Sequence, residues 1–132
     1  MGAIILKRNH VLLVERAKAP LKGYWSLPGG VLETGEHLQE GIRREVLEET
    51  GLEVEPLRVL TIFERIMRDR KGKPEYHYVL IDYLCRVIGG TLQASDDVSR
   101  VAWVARRELD QYRITEGTLP VIEKAFRERA QR

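Results

Sequence analysis

Apolar and polar positions recur along this chain in two rhythms, one with the period of a strand and one with the period of a helix. Ala3 to Lys7 and His10 to Glu15 are apolar, β-branched runs on either side of Arg8-Asn9, the pattern of two strands joined as a hairpin. Ala17 to Gly30 reads as loop, punctuated by Pro20, Gly23, Pro28, Gly29 and Gly30. From Glu36 to Thr50 the apolar residues fall on the line Leu38, Ile42, Val46, which predicts a helix closed by Gly51 as a left-handed cap. Val54 to Met67 and Tyr76 to Val87 predict two longer strands, with Arg68 to Pro74 as their turn and Gly89-Gly90 ending the second. Val101 to Val104 adds a short strand. A last helix is expected with Thr115 as N-cap and Leu119, Ile122 and Phe126 on one face. No repeat, linker or low-complexity segment interrupts this order, so residues 1–132 read as one α/β domain.

Composition narrows the function classes. Hydrophobic content of 43% and charged content of 32% are those of an ordinary globular protein. Lys+Arg 22 against Asp+Glu 20 leaves a formal charge of +2, too little to predict a membrane surface or an extended nucleic acid as partner. The apolar start, Met1 to Leu6, is too short for a signal core or a membrane span, and Leu6 stands where a myristoylation motif needs Ser or Thr. Cys85 is the sole cysteine, which excludes an internal disulfide and suits a reducing cytoplasm.

The chemistry concentrates in Leu27 to Leu52. The predicted helix carries Glu45, Glu48 and Glu49 at spacings i, i+3 and i+4, so the three carboxylates share roughly one-third of its circumference. Like charges so placed repel, and they lie in the last turns, where the helix dipole disfavours negative charge. A hard divalent cation removes both objections, because Mg²⁺ and Mn²⁺ take oxygen ligands. Gly41, one turn before Glu45, leaves room for a close neighbour. Pro28-Gly29-Gly30 brings bare backbone to the same region, with a carbonyl available as a further oxygen ligand. A carboxylate face, a close-approach loop and a rigid helix outline a metal–phosphate site.

The same segment resembles the Nudix box: Gly, five residues, Glu, seven residues, Arg-Glu, an apolar residue, any residue, Glu-Glu, any residue, Gly, apolar. Gly30, Glu36, Arg44, Glu45, Val46, Glu48, Glu49, Gly51 and Leu52 fill it without a departure, over residues 30–52. At ordinary residue frequencies a chance match at the seven invariant positions is on the order of one in 10⁸ per start site. Tyr24 to Pro28 before the box and Val101 to Val104 after it resemble the family's flanking strands more weakly.

The resemblance implies an α/β/α sandwich around a mixed sheet, and a hydrolase that uses one to three Mg²⁺ or Mn²⁺ ions. Carried over residue by residue, Glu45, Glu48 and Glu49 are the expected metal ligands, with the carbonyl of Gly29. Arg44 is the arginine that orients the glutamates, and Glu36 is a structural glutamate behind them. The implied reaction is in-line attack of an activated water on a diphosphate bridged by metal. Its base is either a box glutamate, Glu45 or Glu48, or an acid from the loop before the last strand. Asp97 is the first candidate there and Asp96 the second, with Glu116, at the first turn of the last helix, as a third. Gly30, Trp25, Phe63 and Arg65 are the candidate substrate contacts, although Trp25 and Phe63 also suit a packing role and Arg65 a solvated surface. Tyr76 and Tyr78 share one strand face and His77 the other, one face buried and one at a pocket edge. Cys85 reads as a buried strand residue.

The substrate implied is a small nucleotide, a nucleoside diphosphate linked to another group. The strand His77 to Leu84 and the Ser95-Asp96-Asp97 loop are similar to small prokaryotic ADP-ribose pyrophosphatases. The proline of the better-defined ADP-ribose subgroup and the tyrosine of the dinucleoside polyphosphate subgroup are both absent, where Met67-Arg68 and Asp69-Arg70 stand. An ordinary or oxidised nucleoside triphosphate is the alternative substrate. A non-catalytic nucleotide-sensing module and an enzyme acting on RNA 5′ ends are the alternative roles, and a homodimer is compatible with the family.

Overall fold

Two apolar faces on one sheet set the architecture. In the computed structural model, residues 1–19, 21–95 and 98–130 are described. Strands β1 (Gly2–Lys7) and β2 (His10–Arg16) form the expected antiparallel hairpin, with Arg8 in the left-handed region at φ 55. β3 (Trp25–Ser26) is a two-residue strand within the segment expected to be loop. Helix α1 (Leu38–Thr50) follows, then β4 (Leu52–Arg68), β5 (Pro74–Gly90), β6 (Val98–Ala105), a 3₁₀ helix (Arg106–Gln111) and α2 (Thr118–Ala130). The sheet runs β3-β2-β1-β5-β4, and β6 pairs with β2. The β1–β5 pairing is parallel and the others are antiparallel, which makes the sheet mixed.

β1 occupies the middle, with Ala3, Ile4 and Ile5 all at 0% exposure. A strand covered on both faces reads as an unbroken apolar run, and its residues alternate between two cores. Ala3 and Ile5 join Leu12, Tyr83 and Cys85 beneath Ile42 and Val46 of α1. Ile4 joins Leu13 and Leu84 beneath Ile122 and Phe126 of α2. The result is the α/β/α sandwich. Burial raises the Cys85 thiol pKa to about 12, which suits an inert core position.

Some boundaries differ from expectation for identifiable reasons. α1 starts at Leu38 because Glu36 belongs to the preceding turn, where its carboxylate accepts the Glu33 amide and binds Arg44. α2 starts at Thr118, three residues beyond the proposed cap: the Thr118 amide donates to the Thr115 carbonyl in a turn before the helix. Its packing face is Val121, Ile122, Ala125 and Phe126, while Leu119 in the first turn is 42% exposed. The β4–β5 hairpin outruns β1, so Tyr76, His77 and Tyr78 are all exposed and neither of their faces is buried. Gly51 caps α1 at φ 77 as expected, and a Cβ there would strike the Thr91 carbonyl. Among the described residues no helix is long and apolar enough to cross a membrane.

Candidate active site

The site lies where β1 begins. There the loop before α1 crosses the sheet end: the Ala3 amide donates to Pro28 O at 2.8 Å and the Gly30 amide to Met1 O at 3.0 Å. Those bonds use the Pro28 carbonyl and the Gly30 amide, and neither uses the carbonyl of Gly29. Both glycines of this crossing lie against close neighbours, backbone at Gly29 and a side-chain end at Gly30. A Cβ on Gly29 would run into the Met1 carbonyl, and one on Gly30 into the Glu45 carboxylate. The Gly29 amide donates to Glu49 Oε1 at 2.7 Å, which locks the loop to the last turn of α1. Gly41 admits its close neighbours too, the Met1 side chain and the Glu36 carboxylate.

Arg44 organises the carboxylates. Its Nε donates to Glu36 Oε2 at 2.6 Å and its NH2 group to Glu36 Oε1 at 3.0 Å, a two-pronged pair. Its NH1 group reaches Glu45 Oε1 at 2.9 Å and Glu48 Oε2 at 3.3 Å, and NH2 also meets the Val31 carbonyl at 3.1 Å. The repulsion expected between neighbouring glutamates is therefore partly answered from within the protein. Hydrogen bonding to Arg44, then to the Glu33 amide, holds the Glu36 carboxyl below its ordinary pKa. The same contacts, Glu36 foremost, raise Arg44, which stays charged.

Do these groups suit a divalent cation? Among the described residues no three acidic, histidine or cysteine side chains are grouped tightly enough to hold an ion as they stand. The donor chemistry nevertheless fits. Glu45, Glu48 and Glu49 share one helix face, and Arg44 engages a single oxygen each of Glu45 and Glu48. The cradle at Gly30 keeps the Glu45 carboxylate against bare backbone, and the Glu48 side chain is 58% exposed. Hard carboxylate oxygens of this kind are what Mg²⁺ or Mn²⁺ takes as ligands.

The other candidates divide. Trp25 is 7% exposed in the α2-side core, edge-on to Tyr112 at 5.3 Å with the Arg100 guanidinium 5.3 Å over its ring. Tyr112 and Arg100 thus give the ring packing partners within the protein. Phe63 and Arg65 lie together on the α2 side of β4, where Arg65 donates to the Glu116 carbonyl at 2.8 Å and sits 5.9 Å over the Phe63 ring. Asp97 and Asp96 lie outside the described residues.

Two polar residues near the site escaped the sequence reading. Asp82, 2% exposed, accepts a bond from the Thr61 hydroxyl at 3.2 Å and presses against Gly2. Burial raises its pKa, against the pull of Thr61, the amino terminus and Arg65. An acid inside the apolar run His77 to Leu84 was the available signal. The second is Arg16, at the end of β2. It lines a cleft of about 300 Å³ with Lys18, Ser26, Gly29 and Glu49. A wider hollow of about 820 Å³ beside β6 touches none of the box residues and has no evident link to this chemistry.

Comparison with known proteins agrees with this geometry. The NUDIX domain family model matches residues 1–125. An ADP-ribose pyrophosphatase of Methanocaldococcus jannaschii is 42% identical over 97 residues, 74% of this chain and 55% of that protein. The human 8-oxo-dGDP phosphatase NUDT18 is 32% identical over 135 residues, 99% of this chain and 39% of that protein. The chain thus spans about half, or less, of the length of these curated relatives. Among solved structures, the NUDIX domain of Shewanella oneidensis NrtR complexed with ADP ribose superposes with a TM-score of 0.74 at 27% identity, covering 98% of this chain and 85% of that one. An intact box on the expected helix and a family match over nearly the whole chain have one reading: this chain belongs to the NUDIX family.

Proposed function

We propose that the chain is a metal-dependent pyrophosphohydrolase that cleaves the diphosphate of a nucleoside diphosphate linked to another group, with ADP-ribose as substrate. The observation that carries this reading is the junction of Glu45, Glu48 and Glu49 with the Gly29-Gly30 loop, braced by Arg44. In this reading the three glutamates and the Gly29 carbonyl hold Mg²⁺, with Mn²⁺ as a substitute. When bound, the ion offsets charge on the diphosphate and acidifies water. Arg44 keeps Glu45 and Glu48 aimed during turnover, and Glu36 fixes Arg44. Glu48, the more exposed of the two, or Asp97 takes the proton from the attacking water; Phe63 and Arg65 contact the nucleotide. The choice of ADP-ribose rests on the names of the archaeal relative and of the bound NrtR domain.

A second substrate, an oxidised nucleoside di- or triphosphate, draws support from the human relative, which aligns over 99% of this chain. Hydrolysis by the purified chain with Mg²⁺ should be followed by chromatography against ADP-ribose, 8-oxo-dGDP, nucleoside triphosphates, dinucleoside polyphosphates and triphosphorylated RNA. AMP and ribose 5-phosphate from ADP-ribose, abolished by EDTA, are the expected products. Preferred turnover of 8-oxo-dGDP would select the second substrate. Binding of ADP-ribose without turnover under Mg²⁺ or Mn²⁺ would identify a sensing module and overturn the enzyme reading.

A further inference from the structure

We propose that two copies of this chain pair through the outer edge of β4, antiparallel and related by a two-fold axis, so that one sheet continues into the next. The inference stands apart from the proposed function. β4 ends the strand order, so only one of its edges meets another strand, β5. Near Leu60 the strand is held by α2: Lys124 Nζ donates to the Leu60 carbonyl at 2.9 Å, and Arg58 pairs with Glu128 at 2.9 Å. Beyond it, among the described residues, no backbone group outside β5 bonds to residues 61–67. An unpaired edge is a template for another strand, and proteins blunt such edges with bulges and charges. The β4–β5 register shifts at Glu53/Val54, Pro56/Arg58, Val59/Thr61 and Met67/Arg68, and nowhere within residues 61–67. The open stretch is therefore the regular one.

Its side chains are apolar where a solvated edge would be charged. Cross-strand partners share a face, and Ile81, the partner of Ile62, packs in the α1-side core. Ile62, Ile66 and Val79 therefore lie on the α1 side of the hairpin, where Ile62 and Val79 are 64% and 61% exposed. The polar residues of that face, Glu64 and His77, are bonded to each other. Most of the large apolar side chains left exposed among the described residues lie on β4 and β5, and a patch of this kind marks an interaction surface. Charge selects the occupant. β4 begins with Glu53 and Glu55 and ends with Arg65 and Arg68, followed by Arg70, Lys71 and Lys73 in the turn. The Asp69 carboxylate in that turn accepts the Lys71 and Lys73 amides at 2.9 Å. An acidic strand start and a basic strand end fit the same strand reversed, which is what a two-fold axis supplies. A partner of one sign would be repelled at one end. Residues 57–68 and 74–81 offer about 20 residues a side, the size of a standard interface.

Sedimentation velocity over a dilution series should show a monomer–dimer equilibrium for the wild-type chain. Ile62→Asp places a charge in the apolar stripe and should raise the dimer dissociation constant at least about 100-fold. Ser99→Asp, at an exposed position on β6 across the sheet from β4, should change it less than about twofold. In the wild-type chain, hydrogen exchange at alternate amides of residues 61–67, those directed away from β5, should slow as concentration rises through the dimer midpoint. A chain monomeric throughout the series, an Ile62→Asp effect no larger than that of Ser99→Asp, or β4 amides whose exchange ignores concentration would each overturn the proposal. If Ile62→Asp does not fold, the wild-type exchange measurement decides.

Discussion

Gly30→Ala separates the cradle of the proposed metal site from the stability of the fold. An alanine Cβ at this position would stand 2.4 Å from Glu45 Cδ, where ordinary contact begins at 3.4 Å, so the carboxylate must retreat by about 1 Å. Metal ligands tolerate displacements of only about 0.2 Å before distances become unsuitable. The substitution should therefore weaken Mn²⁺ binding about 10- to 100-fold, the range for disturbing groups that orient a ligand. Stability should barely change. The group displaced is the end of a flexible side chain, which costs about 0.5–1.5 kcal/mol of rotamer strain. Replacing glycine where the backbone allows an L-residue returns about 0.4–1 kcal/mol through the unfolded chain. Mn²⁺ titration followed by electron paramagnetic resonance gives the affinity, and thermal unfolding in EDTA gives the stability. Wild-type Mn²⁺ affinity in a folded Gly30→Ala chain would refute Glu45 as a ligand positioned by this loop. A fall of more than about 10 °C in metal-free Tm would refute the premise that the carboxylate yields.

Two further predictions concern pH and have opposite signs. The folded pKa of Glu36 lies below its ordinary 4.5, so its stabilising contribution is present above that pH and lost as pH falls through the folded value. Glu36→Gln should flatten the decline of the urea midpoint from pH 5 downward, and an unchanged slope would remove the Arg44–Glu36 pair as its cause. Asp82 is shifted upward from 3.8 by burial, so the folded chain keeps that proton more tightly and loses stability as pH rises through the folded value. Asp82→Asn keeps a partner for the Thr61 hydroxyl with no charge to bury. It should match or exceed wild-type stability in urea at pH 7 and lose that advantage toward pH 3; lower stability at pH 7 would mean that attraction to Arg65 and the amino terminus outweighs burial.

Much of this protein was legible in the sequence because the relevant information is local. The β1–β2 hairpin, the left-handed cap at Gly51 and the shared helix face of Glu45, Glu48 and Glu49 follow from periodicity and from the conformational freedom of single residues. The order of elements was enough for one α/β domain, while the sheet covered on both faces was implied by the resemblance of the box and is seen in the buried run Ala3 to Ile5.

What the tertiary structure alone decided depends on contacts between residues far apart in the chain. Spacing marked Glu36 and Arg44 as box residues, but only folding made Arg44 the shared partner of Glu36, Glu45 and Glu48. The glutamates suggested a cation through their mutual repulsion, yet part of the compensation is this internal guanidinium. Trp25 read as a packing residue ahead of a stacking platform, and its packing partners, Tyr112 and Arg100, come from the other end of the chain. Asp82 stood out only as an acid within an apolar run, and its burial against Gly2 and Thr61 comes from the fold; Arg16 carries no local signature, and only the fold sets it in a cleft with Gly29 and Glu49. Periodicity reports which face of its own element a residue occupies. What that face meets, and therefore the polar partners and spaces around the box glutamates, is set by how the chain closes on itself.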